Sequence, residues 1–142
     1  MSYNNAVLLL GSNINDAKKN LQIAFEKIAE KNISILYKSK FLYSEPVEFV
    51  SSNIFCNIAL SIETDLSPIQ LLNGLKEIEK DMGRLVDSGT TRNYNDRMID
   101  LDIVSYNNII FTCNRLEIPH YRHLYEREFS KILLDSLFLN RT

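Results

Sequence analysis

The sequence has no tryptophan and only 4 glycines, 3 prolines and 2 cysteines in 142 residues. Each scarcity excludes something. Cys56 and Cys113 show no metal-ligand spacing and form no disulfide framework, so buried free thiols are expected. The glycines form neither a Gly-x-x-x-x-Gly-Lys-Ser/Thr loop nor a glycine-rich dinucleotide fingerprint. A nucleotide's phosphates must therefore be held by side chains and metal instead of a backbone cradle. No apolar run approaches the length of a membrane span. The opening Met1-Ser-Tyr-Asn-Asn lacks the basic-then-apolar pattern of a signal peptide, and a cytoplasmic location is expected. A net charge of −2 gives no reason to expect nucleic acid or a membrane as partner. Arginine is absent from the first 83 residues, although lysine is present. Arg84, Arg92, Arg97, Arg115, Arg122 and Arg127 all follow. That bias suggests a phosphate-handling second half, because arginine makes bidentate phosphate contacts that lysine cannot. Drift in usage is the plain alternative.

What is present reads as one globular domain over residues 1–142, 45% hydrophobic and 24% charged. Ala6 to Leu10 is an apolar run ending in Gly11-Ser12-Asn13, a buried strand closed by a turn. A helix follows, with Asp16 as N-cap and Leu21, Ala24, Phe25, Ile28 and Ala29 on one face. Ile33 to Tyr43 alternates as a second strand. Ser44 to Asn53 is a loop. Its Val47, Phe49 and Val50 either pack on the core rim or close over an apolar substrate.

Ile54 to Glu63 is a strand with two distinct faces. Ile54, Cys56, Ile58, Leu60 and Ile62 should meet helices; Phe55, Asn57, Ala59 and Ser61 lie opposite. Ser67-Pro68-Ile69-Gln70 is a capping box opening a helix with Leu72, Leu75, Ile78 and Met82 inward and Gly83 as C-cap. After a polar loop from Arg84 to Asp96 comes a central strand, then a turn at Asn107-Asn108 and a short strand from Ile109 to Phe111. Leu116 to Pro119 leads to His120, and Glu126 to Phe138 is helix or closing strand. This order predicts an α+β ferredoxin-like sandwich, an antiparallel sheet with helices on one face and the active site on the other.

The central strand carries the chemistry. In Arg97-Met-Ile-Asp100-Leu-Asp102-Ile-Val104 the aspartates interleave with aliphatics, so Asp100 and Asp102 share one face about 7 Å apart. Such a pair needs a cation. Mg²⁺ is suited, with phosphate oxygens completing its shell and Arg97 at the same phosphates. Two solvated acids on an exposed strand are the plain alternative.

Arg97-x-x-Asp100-Leu-Asp102-Ile-Val resembles the signature of the 6-hydroxymethyl-7,8-dihydropterin pyrophosphokinase family of folate biosynthesis. Further segments are similar to that family in the same order, from about residue 6 to 134: Leu10-Gly-Ser-Asn13, Tyr43-Ser-Glu-Pro-Val47, Phe55-Cys-Asn57, Gly83-Arg84, Ile118-Pro-His120-Tyr-Arg122 and Glu126-Arg127-Glu-Phe129. The resemblance implies transfer of ATP's β,γ-pyrophosphoryl group to the pterin hydroxymethyl oxygen, leaving AMP. It implies two Mg²⁺ ions bridged by Asp100 and Asp102, with Arg84, Arg92 and Arg97 completing the catalytic set. It places Lys76, Glu79, Arg97, Ile103, Arg115, His120, Tyr121, Arg122 and Arg127 around ATP. Ser44, Glu45, Val47, Phe55, Asn57, Tyr94, Asp100 and Phe129 would surround the pterin. Asn57 would bond its amide-like edge, and Phe129 with an aromatic such as Tyr94 would sandwich the ring. A monomer is expected.

The chain departs from the pattern in places. Tyr94-Asn95-Asp96 stands where the family has aromatic-Gly-Pro, Val86 where a second loop arginine is usual, and the chain stops soon after Leu137. A family member that binds pterin without turnover is thus one alternative. A nucleotidyltransferase is another, disfavoured because Gly11-Ser12 lies far from Asp100 in sequence. An RNA-binding module of this architecture would show basic and aromatic sheet residues where the aspartates stand.

Overall fold

The computed structural model describes residues 3–44, 54–83, 98–121 and 127–140, apart from the side chains of residues 129 and 138–140. The elements run β1 (Asn4–Ser12), α1 (Ala17–Ala29), β2 (Ile33–Lys38), β3 (Leu42–Ser44), β4 (Phe55–Thr64), α2 (Pro68–Gly83), β5 (Asp100–Tyr106), β6 (Phe111–Cys113), β7 (Leu116–Ile118) and α3 (Glu128–Asn140). Strands pair antiparallel in the order β2-β4-β1-β5, with β3 also on β4 and β6-β7 as a separate hairpin. This is the expected α+β arrangement of a split β-α-β sandwich.

Alternation decides which face each strand residue takes. Leu8 and Leu10 of β1, Ile58, Leu60 and Ile62 of β4, and Leu101 and Ile103 of β5 form the aliphatic face. They meet Leu21, Ala24 and Ile28 of α1 and Leu71, Leu75, Ile78 and Met82 of α2. The helix N-termini match their sequence signals. Asp16 accepts a bond from the Lys19 N–H at 3.2 Å. Ser67 and Gln70 exchange reciprocal bonds, at 2.9 Å from the Ser67 N–H to Gln70 and 3.2 Å from the Gln70 N–H to Ser67.

Some expectations need correction. Ile33 to Tyr43 is two strands. Between them Ser39 donates its N–H to the Ala59 carbonyl at 2.9 Å, while its hydroxyl accepts the Ala59 N–H at 2.8 Å. A side-chain oxygen thus does the work of a ladder carbonyl and lets the edge break. The strand expected from Ile109 begins at Phe111, because Ile109 is used in the turn and donates its N–H to the Tyr106 carbonyl at 3.3 Å. Ala29 is exposed at the end of α1, and Gly83 ends α2 as its last helical residue without a positive φ. The ambiguous stretch at the C-terminal side is a helix, α3. It lies on the face opposite α1 and α2, where Leu133, Leu134 and Leu137 cover Val7, Leu9, Ala59 and Val104. The helices of the split β-α-β unit share one face as expected, and α3 adds a partial cover to the other.

Candidate active site

Register builds the site. Gly11 of β1 lies opposite Asn57 on β4 and opposite Asp100 on β5, so Asn57, Gly11 and Asp100 form one row across three strands. The next row is Ala59, Leu9 and Asp102. Asn57 and the aspartates therefore share the face away from α1 and α2. Two strand spacings set Asn57 and Asp100 about 10 Å apart along that row. Gly11 keeps the middle open: a Cβ there would lie 2.9 Å from Asn57 Oδ1 and 3.4 Å from a Phe55 ring carbon.

Asn57 is buried, and its side chain is oriented by two bonds. Its Nδ2 donates to the Leu42 carbonyl at 3.1 Å and to Ser44 Oγ at 2.7 Å. The amide oxygen is thereby turned toward the space over Gly11. Ser44 pairs with Phe55 in the β3–β4 ladder, so Ser44, Phe55, Asn57 and Asp100 are gathered around one gap. The turn beyond Gly11 is latched from α1: buried Asn20 donates Nδ2 to Ser12 Oγ at 3.1 Å and to the Ile14 carbonyl at 2.8 Å. Sequence reasoning missed Asn20. Its signal was a polar residue directly beside Leu21 on the inward side of α1.

A second group of residues meets on the other flank of β5. Lys76, Asp102, Ile103, Arg115, Glu117 and His120 line a pocket of about 210 Å³. The His120 N–H donates to the Val104 carbonyl at 2.8 Å, which docks the segment after β7 along β5. Arg115 is steadied by Asn73 of α2, a partner the sequence did not flag. Tyr121 is exposed, and its N–H donates to Glu117 at 3.2 Å. Arg127 is half-buried just before α3, and Phe129 lies in the first turn of that helix. Arg84, Arg92, Arg97, Glu45, Val47, Tyr94 and Arg122, with the side chain of Phe129, fall outside the described residues.

Electrostatics favour a cation here. Glu79 Oε1 stands 3.0 Å from Lys76 Nζ. Burial alone would lower the Lys76 pKa. The charge and hydrogen bond of Glu79, with Asp100 and Asp102 beyond, outweigh burial and hold the ammonium above the usual lysine range. Asp100 and Asp102 thus add to the pull of Glu79 on the Lys76 ammonium. Among the described residues no group of three metal-capable side chains occurs. A donor set of two carboxylates suits Mg²⁺, which is commonly held by one or two carboxylates plus substrate phosphates.

Asp102 lines the pocket while Asp100 ends the Asn57 row, so β5 joins an amide-lined gap to a pocket of mixed charge. Fold and site together define an α+β domain in which an amide-lined gap and a polar pocket flank one aspartate-bearing strand. The chain belongs to the 7,8-dihydro-6-hydroxymethylpterin-pyrophosphokinase family, whose sequence profile matches residues 7–138. It is 37% identical over 125 residues to the 2-amino-4-hydroxy-6-hydroxymethyldihydropteridine pyrophosphokinase of Haemophilus influenzae, covering 87% of this chain and 75% of that protein. The Pseudomonas aeruginosa protein of the same name is 31% identical over 123 residues, covering 84% of this chain and 72% of the relative. A folate synthesis bifunctional protein of Arabidopsis thaliana is 36% identical over 128 residues, covering 90% of this chain and 26% of the longer protein.

Proposed function

We infer that this chain transfers the β,γ-pyrophosphoryl group of ATP to the hydroxymethyl group of 6-hydroxymethyl-7,8-dihydropterin, giving the pterin diphosphate and AMP in folate biosynthesis. The observation that carries this reading is the meeting of Asn57, Gly11 and Asp100 in one row beside the pocket of Asp102, Lys76, Arg115 and His120. An acceptor ring and a polyphosphate can lie on either side of the same aspartate pair.

In this reading the gap above Gly11 takes the flat ring, with Asn57 at its amide-like edge and Phe55 at its side. Asn57 suits this because its bonds to Leu42 and Ser44 hold the amide plane still. Glu45, Val47, Tyr94 and Phe129 complete the ring pocket. Asp100 and Asp102 hold the metal, two Mg²⁺ ions being the expected number. When bound, Mg²⁺ supplies charge that orients the triphosphate and draws electron density from the β-phosphorus. Arg84, Arg92, Arg97, Arg115, Arg122, Arg127, Lys76 and His120 surround the phosphates, while Ile103 and Tyr121 border the nucleotide. Phosphoryl-type transfer needs mainly positioning and charge neutralisation, which matches this set. One pyrophosphokinase domain over residues 1–142, monomeric and cytoplasmic, completes the reading.

The product decides it. Incubation with ATP, Mg²⁺ and the dihydropterin should give AMP and a pterin diphosphate in equal amounts by chromatography. ADP or free pyrophosphate as the main product would instead indicate single phosphoryl or nucleotidyl transfer.

A further inference from the structure

Glu79 was expected among the nucleotide contacts, and its geometry points elsewhere. It projects from α2 toward β5, with only 18% of its side chain exposed. Each carboxylate oxygen already has a partner. Oε2 accepts the backbone N–H of Leu101 at 2.7 Å, and Oε1 meets Lys76 Nζ at 3.0 Å. Leu101 is the residue between the two aspartates. It pairs with Leu10 of β1, and β5 is the end strand of its sheet order, so Glu79 supports the peptide from the outer edge.

We propose that Glu79 is a positioning residue for the Asp100–Asp102 pair: its carboxylate anchors the peptide between them and turns Lys76 toward the phosphate pocket. Both aspartates hang from the segment that this bond fixes. A hydrogen bond to an ionised acceptor is shorter and stronger than a neutral one, and here it replaces a missing neighbouring strand. Lys76 offsets the negative charge that Glu79 would otherwise add beside a polyphosphate. A direct phosphate contact is disfavoured because a carboxylate repels phosphates. A third-ligand role is disfavoured because Glu79 does not cluster with the aspartates as a metal-capable group.

This inference rests on the reading of Asp100 and Asp102 as metal ligands, and the test separates the two. Mn²⁺ binding is titrated by electron paramagnetic resonance with a non-hydrolysable ATP analogue, using wild type, Glu79→Ala and Glu79→Gln. Groups that orient metal ligands typically change affinity by about tenfold or more when removed. Glu79→Ala should weaken Mn²⁺ by about that factor and raise the Mg²⁺ needed for half-maximal activity in parallel, with the KM for pterin little changed. Glu79→Gln keeps an oxygen acceptor for Leu101 and should restore most of the metal affinity, while the KM for ATP shifts because Lys76 has lost its partner. If Glu79→Ala does not fold, Glu79→Asp, one methylene too short to reach Leu101, supplies the same contrast. Wild-type metal affinity in a folded Ala or Asp variant would overturn the proposal. So would equal damage from Gln and Ala. Absence of nucleotide-dependent Mn²⁺ binding in wild type would overturn the metal-ligand reading itself, and the proposal with it.

Discussion

In the proposed reading, Gly11 is the residue on which the acceptor half depends. It matters as empty space and not as a flexible joint, since it has no positive φ. An added methyl would press on Asn57 Oδ1 from 2.9 Å, and Asn57 cannot withdraw without breaking its bonds to Leu42 and Ser44. Gly11→Ala should therefore keep the fold at a cost of about 1–3 kcal/mol. The KM for pterin should rise by about tenfold, equivalent to about 1.4 kcal/mol, with the KM for ATP less affected. Equal changes in both constants would argue against a role confined to the ring pocket. The cysteines make a second contrast. Cys56 is buried as expected but Cys113 is exposed, against the expectation of two buried thiols, so a thiol reagent should modify one site in the native protein and both after unfolding. Burial raises the Cys56 pKa, while Tyr43 and Lys18 pull it back less strongly. The folded state then keeps its proton to higher pH than the unfolded chain. Its contribution is complete below the ordinary thiol value of 9.0 and is lost as pH rises through the elevated one. Urea midpoints should fall more steeply above that pH in wild type than in Cys56→Ala. Parallel curves would contradict the assignment.

At the scale of elements, α2 is the one whose sequence and role are clearest. Its capping box closes as Ser67 and Gln70 imply, and Lys76 and Glu79 follow on later turns. Ser67→Ala should cost about 1 kcal/mol in urea unfolding, because orphan N–H groups of the first turn lose their acceptor. The KM for ATP should stay near wild type, since the functional residues lie beyond the frayed turn. β4 was legible except at its start, where Ile54 precedes the strand and is exposed: alternation assigned Ile58, Leu60 and Ile62 to the helices and Asn57 to the other face. The break at Ser39 was not, because Ser39 suits an edge strand as well as a side-chain substitute for its ladder. α3 was ambiguous for a physical reason. Its apolar residues are too frequent to show a period until the sheet beneath selects Leu133, Leu134 and Leu137.

At the scale of the molecule, the residue types of the site and the sheet face they share were readable, and the register that sets them opposite one another was not. Asp100 and Asp102 declare their shared face through a two-residue spacing that any strand obeys. That Asn57 stands across Gly11 from Asp100 depends on the pairing of β4, β1 and β5, which no local pattern encodes. The same holds for Glu79 under Leu101 and Asn73 beside Arg115. The sheet converts three separate stretches into one surface, with the Asn57 row on β4 and β1 and the polar pocket between β5, α2 and β7. If β5 joins the two halves, removing either carboxylate should abolish transfer, and removing Asp102 should leave the ring site intact. Pterin-dependent AMP formation is the most direct test, measured side by side for wild type, Asp100→Ala and Asp102→Ala, with pterin binding followed by fluorescence. The account predicts AMP from wild type, at least about a hundredfold less from each variant, and retained pterin binding at least in Asp102→Ala. Near-wild-type AMP formation by folded variants, or AMP release that does not depend on pterin, would contradict it.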